Sequence, residues 1–322
     1  MFLVIGSTTL DLIQSGVTTM PQPRGDEFTV DSLIFCAEPL QMRFGGNGAN
    51  SAYVLAQLGA PVALGSAIGC DSAGELLTAP LQAIGVDLQG LLRHPTAATS
   101  VTTVISDLAH NRFAFHHAGA SHRFALQDLP STVVNAATAL LISSYTLFLQ
   151  WRPQGVATLL QQVKAQGGTT ALDIGPAIGE PVTLAEIAPF LSDVDYLLAN
   201  RHELAVCTDV APTTDALVQG MAQLLGAGAG NVVIKQGADG ALIQCSGDAA
   251  PTPVPGFPVS AQDTVGAGDS FNAGFLYAVN QGQDAVAAVR FANAVAALVV
   301  GSQRGVLGAP TVAAATALVA QA

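Results

Sequence analysis

Asp263-Thr264-Val265-Gly266-Ala267-Gly268-Asp269-Ser270-Phe271 sets a glycine-rich turn directly before an apolar helical stretch and puts a carboxylate one residue past the turn. Gly266 and Gly268 admit backbone conformations that other residues avoid, and they let a ligand approach the main chain. The first N–H groups of the following helix have no intrahelical acceptor, and the helix dipole favours negative charge there, so phosphate is the natural guest. Asp269 is the anomaly. A carboxylate beside a phosphate site repels the phosphate, and its use there is to take a proton from a hydroxyl that attacks phosphorus. Read without that chemistry, the stretch is a tight turn with Asp269 as a helix-start acid.

Working outward, Gly45-Gly46-Asn47-Gly48-Ala49-Asn50 forms a second glycine segment, leading into a helix that reads through Ala52, Leu55, Ala56 and Gly59. Glycines interleaved with two amides expose both donors and acceptors at a helix start, the mixture that sugar hydroxyls require. A glycine loop capped by Asn47 and Asn50 is the purely structural reading. Phe2 to Ile5 is an apolar strand, and Asp11 follows in Gly6-Ser7-Thr8-Thr9-Leu10-Asp11, past the carboxyl end where open α/β sheets hold ligands. On spacing alone Asp11 is equally a turn acid.

The two glycine segments, in this order, resemble the signatures of the ribokinase-like (PfkB) carbohydrate kinases. The resemblance implies an α/β fold: a three-layer αβα sandwich with a mostly parallel central sheet and a small β-sheet lid. It implies ATP-dependent phosphorylation of a primary hydroxyl of a small sugar, with Asp269 as base and Gly266, Ala267 and Gly268 as the anion hole. Asp11, Gly45, Gly46, Asn47 and Asn50 are the implied acceptor ligands.

Asn200-Arg201-His202-Glu203 begins a helix just after the strand Tyr196 to Ala199 and resembles the family's Asn-x-x-Glu element. That implies a role in positioning Mg²⁺ and phosphate, with Glu203 acting through water. The same residues also spell a capping box. Lys235-Gln236-Gly237-Ala238-Asp239-Gly240 ends another strand where the family lines its nucleotide pocket, which implicates Gly237 and Gly240. Lys235 reads either as a solvated strand-end lysine or as a phosphate contact. Asn293, within the helix Asp284 to Val300, falls where relatives contact adenine or its ribose. If buried, it needs a hydrogen-bond partner. Asp263 reads as a turn residue, and in potassium-activated relatives the matching aspartate helps bind a monovalent cation, which admits K⁺ at Asp263.

Other motifs carry less. Asp173-Ile174-Gly175-Pro176 departs from the Asp-x-Asn-x-Arg of many sugar-kinase relatives, and Gly69-Cys70-Asp71-Ser72-Ala73-Gly74 reads as a helix cap. His110, His116, His117 and His122 cluster in sequence. His116 and His117 face opposite sides of a strand and none has metal-site spacing to a cysteine, so substrate contact from the lid is the better use for one of them. No Gly-x-x-x-x-Gly-Lys-Ser/Thr occurs, and Lys164 and Lys235 are the only lysines, which excludes a P-loop. Gly226 to Gly230 joins a helix to a strand, the wrong order for a nucleotide loop.

The organisation predicts one domain over residues 1–322, with the lid built from segments of about 14–44 and 97–117. The first holds Pro21, Pro23 and Pro39 among β-prone pieces such as Glu27 to Val30. The second reads as a hairpin, Thr99 to Ser106 and Arg112 to His117, turning near Asp107 to Asn111. From about residue 131, apolar strands alternate with helices near 153–166, 183–191, 201–207 and 214–225, as a parallel sheet covered on both faces requires. Residues 284–300 and 311–320 give the last helices.

Composition agrees with this. Half the residues are hydrophobic and 11% are charged, enough to bury a large core. The net charge of −12 and the lack of a basic stripe exclude a nucleic-acid partner. Met1 to Gly6 is too short for a signal peptide or a membrane span. Four scattered cysteines suit a reduced, cytoplasmic compartment. Lid sheets in relatives serve as dimer clasps, so a homodimer through the lid is the matching expectation. The expected partners are thus a small sugar and ATP. Two other functions stay open: a nucleoside kinase with a base slot from Phe35, Phe113 and Phe115, and a sugar-binding regulator without turnover, which the intact Asp269 turn opposes.

Overall fold

Strands apolar on both faces must be covered on both faces. In the computed structural model, which describes residues 1–18, 32–108, 112–176 and 179–321, β1 (Phe2–Ile5) sends Leu3 and Ile5 into one core and Phe2 and Val4 into another. The same division separates Leu140 and Ile142 from Ala139 and Leu141, and Leu197 and Ala199 from Leu198. A sequence period of two thus creates two apolar layers, one on each side of a single sheet.

After β1 come β2 (Thr9–Val17), β3 (Gln41–Gly45), α1 (Asn47–Gln57), β4 (Val62–Gly69), α2 (Ser72–Ala83), β5 (Leu91–His94), β6 (Ser100–Asp107) and β7 (Arg112–His117). The middle of the chain holds α3 (Ser131–Asn135), β8 (Ala139–Ile142), α4 (Gln154–Ala165), β9 (Thr169–Asp173), α5 (Leu184–Ile187), β10 (Tyr196–Asn200), α6 (Arg201–Thr208) and α7 (Thr214–Gly226). It closes with β11 (Asn231–Lys235), β12 (Ala241–Cys245), β13 (Thr252–Val254), α8 (Ala267–Asn280), α9 (Ala285–Val300) and α10 (Val312–Ala320).

The large sheet runs β13-β12-β11-β10-β9-β8-β1-β4-β5. It is parallel from β11 through β5, and β12 and β13 add an antiparallel edge. Helices α1, α8 and α9 contribute to one core and α4, α6 and α7 to the other. The three-layer α/β expectation therefore holds, and the carboxyl ends of β9, β10 and β11 open on one edge. Among the described residues, no helix is long and apolar enough to cross a membrane.

A separate four-stranded sheet, β3-β2-β6-β7, is built from the segments expected for the lid. It starts earlier than the expected residue 14. Alternation in Thr9-Leu10-Asp11-Leu12-Ile13 carries the chain straight from the large sheet into β2, so Asp11 is a strand residue and not a turn acid. Glu27 to Val30, with Pro21 and Pro23, lies outside the described residues, as do His110 and the rest of residues 109–111 in the expected hairpin turn. The helix expected over 183–191 is also shorter. Its α-helical part ends at Ile187 and Ala188–Asp193 is a 3₁₀ turn, because Pro189 cannot donate the next helical hydrogen bond.

Candidate active site

Helix α8 is preceded by Gly266 as its N-cap, whose φ of 76° lies in the left-handed region, and a β-carbon there would also strike the Val306 side chain. The turn is fixed by Ser270, whose backbone N–H and Oγ both donate to the Gly266 carbonyl at 2.9 and 2.7 Å. Ala267 N–H already donates to Thr264 O at 3.3 Å, whereas Gly268 N–H has no backbone acceptor, as the first turn of a helix leaves it. Of the three residues expected to hold an anion, Gly266 and Gly268 thus offer uncommitted amides, and that of Gly268 lies within the first turn of α8.

Asp269 sits in that first turn. Its Oδ2 accepts from Asn50 Nδ2 at 2.8 Å, and its main-chain carbonyl accepts from Ser51 Oγ at 3.3 Å. Asn50, expected on the acceptor, is therefore bonded to the carboxylate, while its own Oδ1 is buried without a partner. Desolvation pushes the Asp269 carboxyl up to about 7; the Asn50 bond and Lys235 oppose the shift, and Asp173 and Glu203 reinforce it.

Lys235 is not a solvated strand-end lysine. Its Nζ donates to Asp173 Oδ1 at 2.7 Å and to Asn272 Oδ1 at 3.1 Å, at the mouth of the cleft that also exposes Asn200, Glu203, Gly237 and the Gly266–Asp269 turn. Burial works against its charge, but Asp173, Glu203 and Asp269 outweigh burial and the pKa is raised. Asp173, in the segment that departs from the family pattern, also accepts from Ser144 N at 3.1 Å and is almost fully buried. Sequence reading left it outside the site. The signal was present, since a charged residue ending a buried strand needs a partner of opposite charge. Asn200 and Glu203 form the reciprocal capping box, with bonds of 2.9 and 2.7 Å, and Glu203 still faces the cleft. Burial and the nearby Asp173 raise its pKa.

On the lid side, Asn47 Oδ1 accepts from Ser7 N at 2.7 Å, Ser7 Oγ at 3.1 Å and Gly48 N at 2.7 Å, which ties the glycine loop to the end of β1. Gly46 has φ 92°, and a β-carbon on it would meet the Ser7 carbonyl. Gly45 backs onto Asp11, whose pKa is raised by burial against the opposing effects of Thr102 and Arg43. His116 and His122 line a small cavity with Ser7, Ser66, Phe124 and Phe148.

Four expectations meet a different arrangement. Asn293 Nδ2 donates to Val254 O and Pro255 O, both at 3.1 Å, so its donors bind the end of β13. Gly240 closes the β11–β12 turn against the Val254 backbone, while Gly237 reaches the cleft. At Asp263, the position admitted for a monovalent cation, Oδ2 is ion-paired with Arg43 and Oδ1 accepts from Val265 N at 3.0 Å. The lid phenylalanines form no base slot: Phe35 is 89% exposed, and Phe113 and Phe115 pack edge-on against each other at the surface. Asp71 is the helix cap the sequence suggests, accepting from Gly74 N at 2.9 Å.

A large mostly parallel sheet, a separate small sheet and a carboxylate next to a glycine turn define a ribokinase-like kinase. The structure of Arabidopsis thaliana ribokinase complexed with ribose and ATP has this fold, with a TM-score of 0.84 at 24% identity, covering 99% of this chain and 98% of that one. A model described as pfkB family carbohydrate kinase matches residues 5–312, and the chain belongs to that family. Ribokinase of Bacillus subtilis is 30% identical over 309 residues, 96% of this chain and 95% of the relative. A nucleoside kinase of Methanothermobacter thermautotrophicus is 27% identical over 276 residues, 85% of this chain and 84% of the relative. The protein is accordingly an ATP-dependent kinase.

Proposed function

We propose that the protein transfers the terminal phosphoryl group of ATP to a primary hydroxyl of a small sugar, with Asp269 as general base. The observation that carries this reading is a buried carboxyl group, held by Asn50 in the helix turn that also presents the free Gly268 N–H, with desolvation pushing its pKa up to about 7. The hydroxyl oxygen bonds to phosphorus, the bond from phosphorus to the ADP oxygen breaks, and the hydroxyl proton moves to Asp269 Oδ1, since Asn50 holds Oδ2. The Gly268 amide and the positive end of α8 stabilise charge on the transferred group. Asp11 and the Gly45–Asn47 loop orient the acceptor.

The donor set suits MgATP. Asp173, Glu203 and Asp269 are three carboxylates sharing one lysine, and Asn272, whose Oδ1 accepts from that lysine, has its Nδ2 buried without a partner. When bound, Mg²⁺ would neutralise phosphate charge, with Glu203 and Asp173 holding it through water. Lys235, kept charged by its neighbours, would meet the phosphates, and Gly237 would leave room for the nucleotide.

Asp269 acts as base only when ionised. The activity kcat/KM is therefore expected to fall tenfold per pH unit below about 7 and to level off above it. An acid limb near the ordinary carboxylate value of 3.8 would remove the desolvated base. Assay of ATP consumption over ribose, fructose, 2-keto-3-deoxygluconate and nucleosides tests the acceptor. Because Arg43 already occupies Asp263, equal rates in K⁺ and Na⁺ are expected, and strict K⁺ dependence would oppose that assignment.

A nucleoside acceptor is the second reading. It is favoured by the cavity where Phe124 and Phe148 lie beside His116 and His122, a mixture of rings and ring nitrogens suited to a base edge. Sugar binding without ATP consumption would instead point to a regulator.

A further inference from the structure

Arg43 is the point where the two halves of the site meet. It lies on β3 directly opposite Asp11 on β2, and residues opposite each other in an antiparallel pair project from the same face. Asp11 feels the Arg43 charge, which opposes the rise of its pKa. Gln41, two residues earlier on the same face, accepts from Arg43 Nε at 3.0 Å and from Nη2 at 2.6 Å and so fixes the plane of the guanidinium. The remaining arm, Nη1, pairs with Asp263 Oδ2.

Asp263 is anchored on its other sides. Its backbone N–H donates to Val300 O at 3.2 Å, at the end of α9. Its Oδ1 accepts from Val265 N at 3.0 Å, a bond that bends the chain into the Thr264–Gly266 turn. The residues after that turn are Ala267, Gly268 and Asp269. One cation thus links a lid carboxylate, Asp11, to the aspartate that shapes the start of α8.

We propose that Arg43 and Asp263 form a positioning latch, coupling the acceptor-side lid to the turn that carries the Gly268 amide and Asp269. Neither residue touches the reacting atoms; each acts through the other. The latch rests on the reading of the Gly266 turn as the place of phosphoryl transfer. With the latch broken, β3 no longer holds the turn, and the base and the amide lose their common alignment to the acceptor. Misplacement by about 1 Å can cost about a hundredfold in rate.

The test is a double-mutant cycle on the full chain, made of Arg43→Gln, Asp263→Asn and the pair together, with kcat, acceptor KM and thermal midpoint measured for each. Each single change is expected to lower kcat by about tenfold to a hundredfold, more than it changes acceptor KM. The double variant should fall no further than the worse single one, because both remove the same contact. Arg43→Lys, which keeps the charge and loses the fork, should recover part of the loss. Losses that multiply in the double variant would overturn the latch. So would an Arg43→Gln kcat within about twofold of wild type, the usual scatter of independent sites. If the glutamine variant does not fold, Arg43→Lys with Asp263→Glu completes the same cycle under the same criteria. Asp269→Asn, run beside it, separates the two claims. Lost turnover there with a silent Arg43→Gln sinks the latch alone, whereas retained turnover sinks the reading of the turn on which the latch depends.

Discussion

Asp269→Asn is expected to lower kcat by about a hundredfold to ten-thousandfold while leaving nucleotide and acceptor binding largely intact. The amide has the shape of the carboxylate, and its oxygen can still accept from Asn50 Nδ2, so the side chain keeps its place while losing the ability to take a proton. ATP consumption and calorimetric binding give the two readouts, and unchanged turnover would remove Asp269 as base. A second signature should accompany the loss. The folded-state pKa of Asp269 lies above the ordinary 3.8, so its contribution to stability is fully present below that value and disappears as pH rises through about 7. The asparagine variant carries no such penalty. Its melting temperature should exceed that of the wild type at pH 8, and the difference should shrink as pH falls toward 4.

Lys235→Met carries the other large effect, and it acts on stability as well as rate. Lys235 is the cation within reach of the buried Asp173 carboxylate, and removing one member of a buried pair leaves the other charged and unpartnered. That typically costs about 3–5 kcal/mol, measurable as a lower urea midpoint at pH 8. Lys235 also opposes the upward shift of Asp269. In any variant that still turns over, the acid limb of the pH profile should move to higher pH. A midpoint equal to that of the wild type would show that the pair contributes little, and an unmoved acid limb would uncouple Lys235 from the base.

Much of this was legible because the decisive features are local. The glycine turn before α8, the capping box at Asn200 and Glu203, and the alternation of short apolar strands with helices are all written within a few residues of one another. The lid was legible only in outline. β2 begins at Thr9, where only Gly6, Ser7 and Thr8 separate it from β1 and the alternation is easily assigned to a loop. β4 carries Gly65 and Gly69 among small residues, so its weak strand propensity concealed a strand that is buried along its whole length. Pairings across long sequence distances left no local trace at all. Asn50 meets Asp269 across 219 positions and Arg43 meets Asp263 across 220, and only the packing of α1 on α8 and of the lid beside the turn brings them together. Asn293 shows the converse, since its family position suggested a ligand contact while its donors serve the β13 backbone.

The connection between the two sheets has a consequence for turnover. Only residues 6–8 separate β1 from β2, and Ser7 among them is stapled to Asn47 by two hydrogen bonds. Any swing of the small sheet about this short hinge would carry along the Gly45–Asn47 loop, which is proposed to orient the acceptor. Letting a phosphorylated product escape and dismantling the surface that gripped it would then be a single motion.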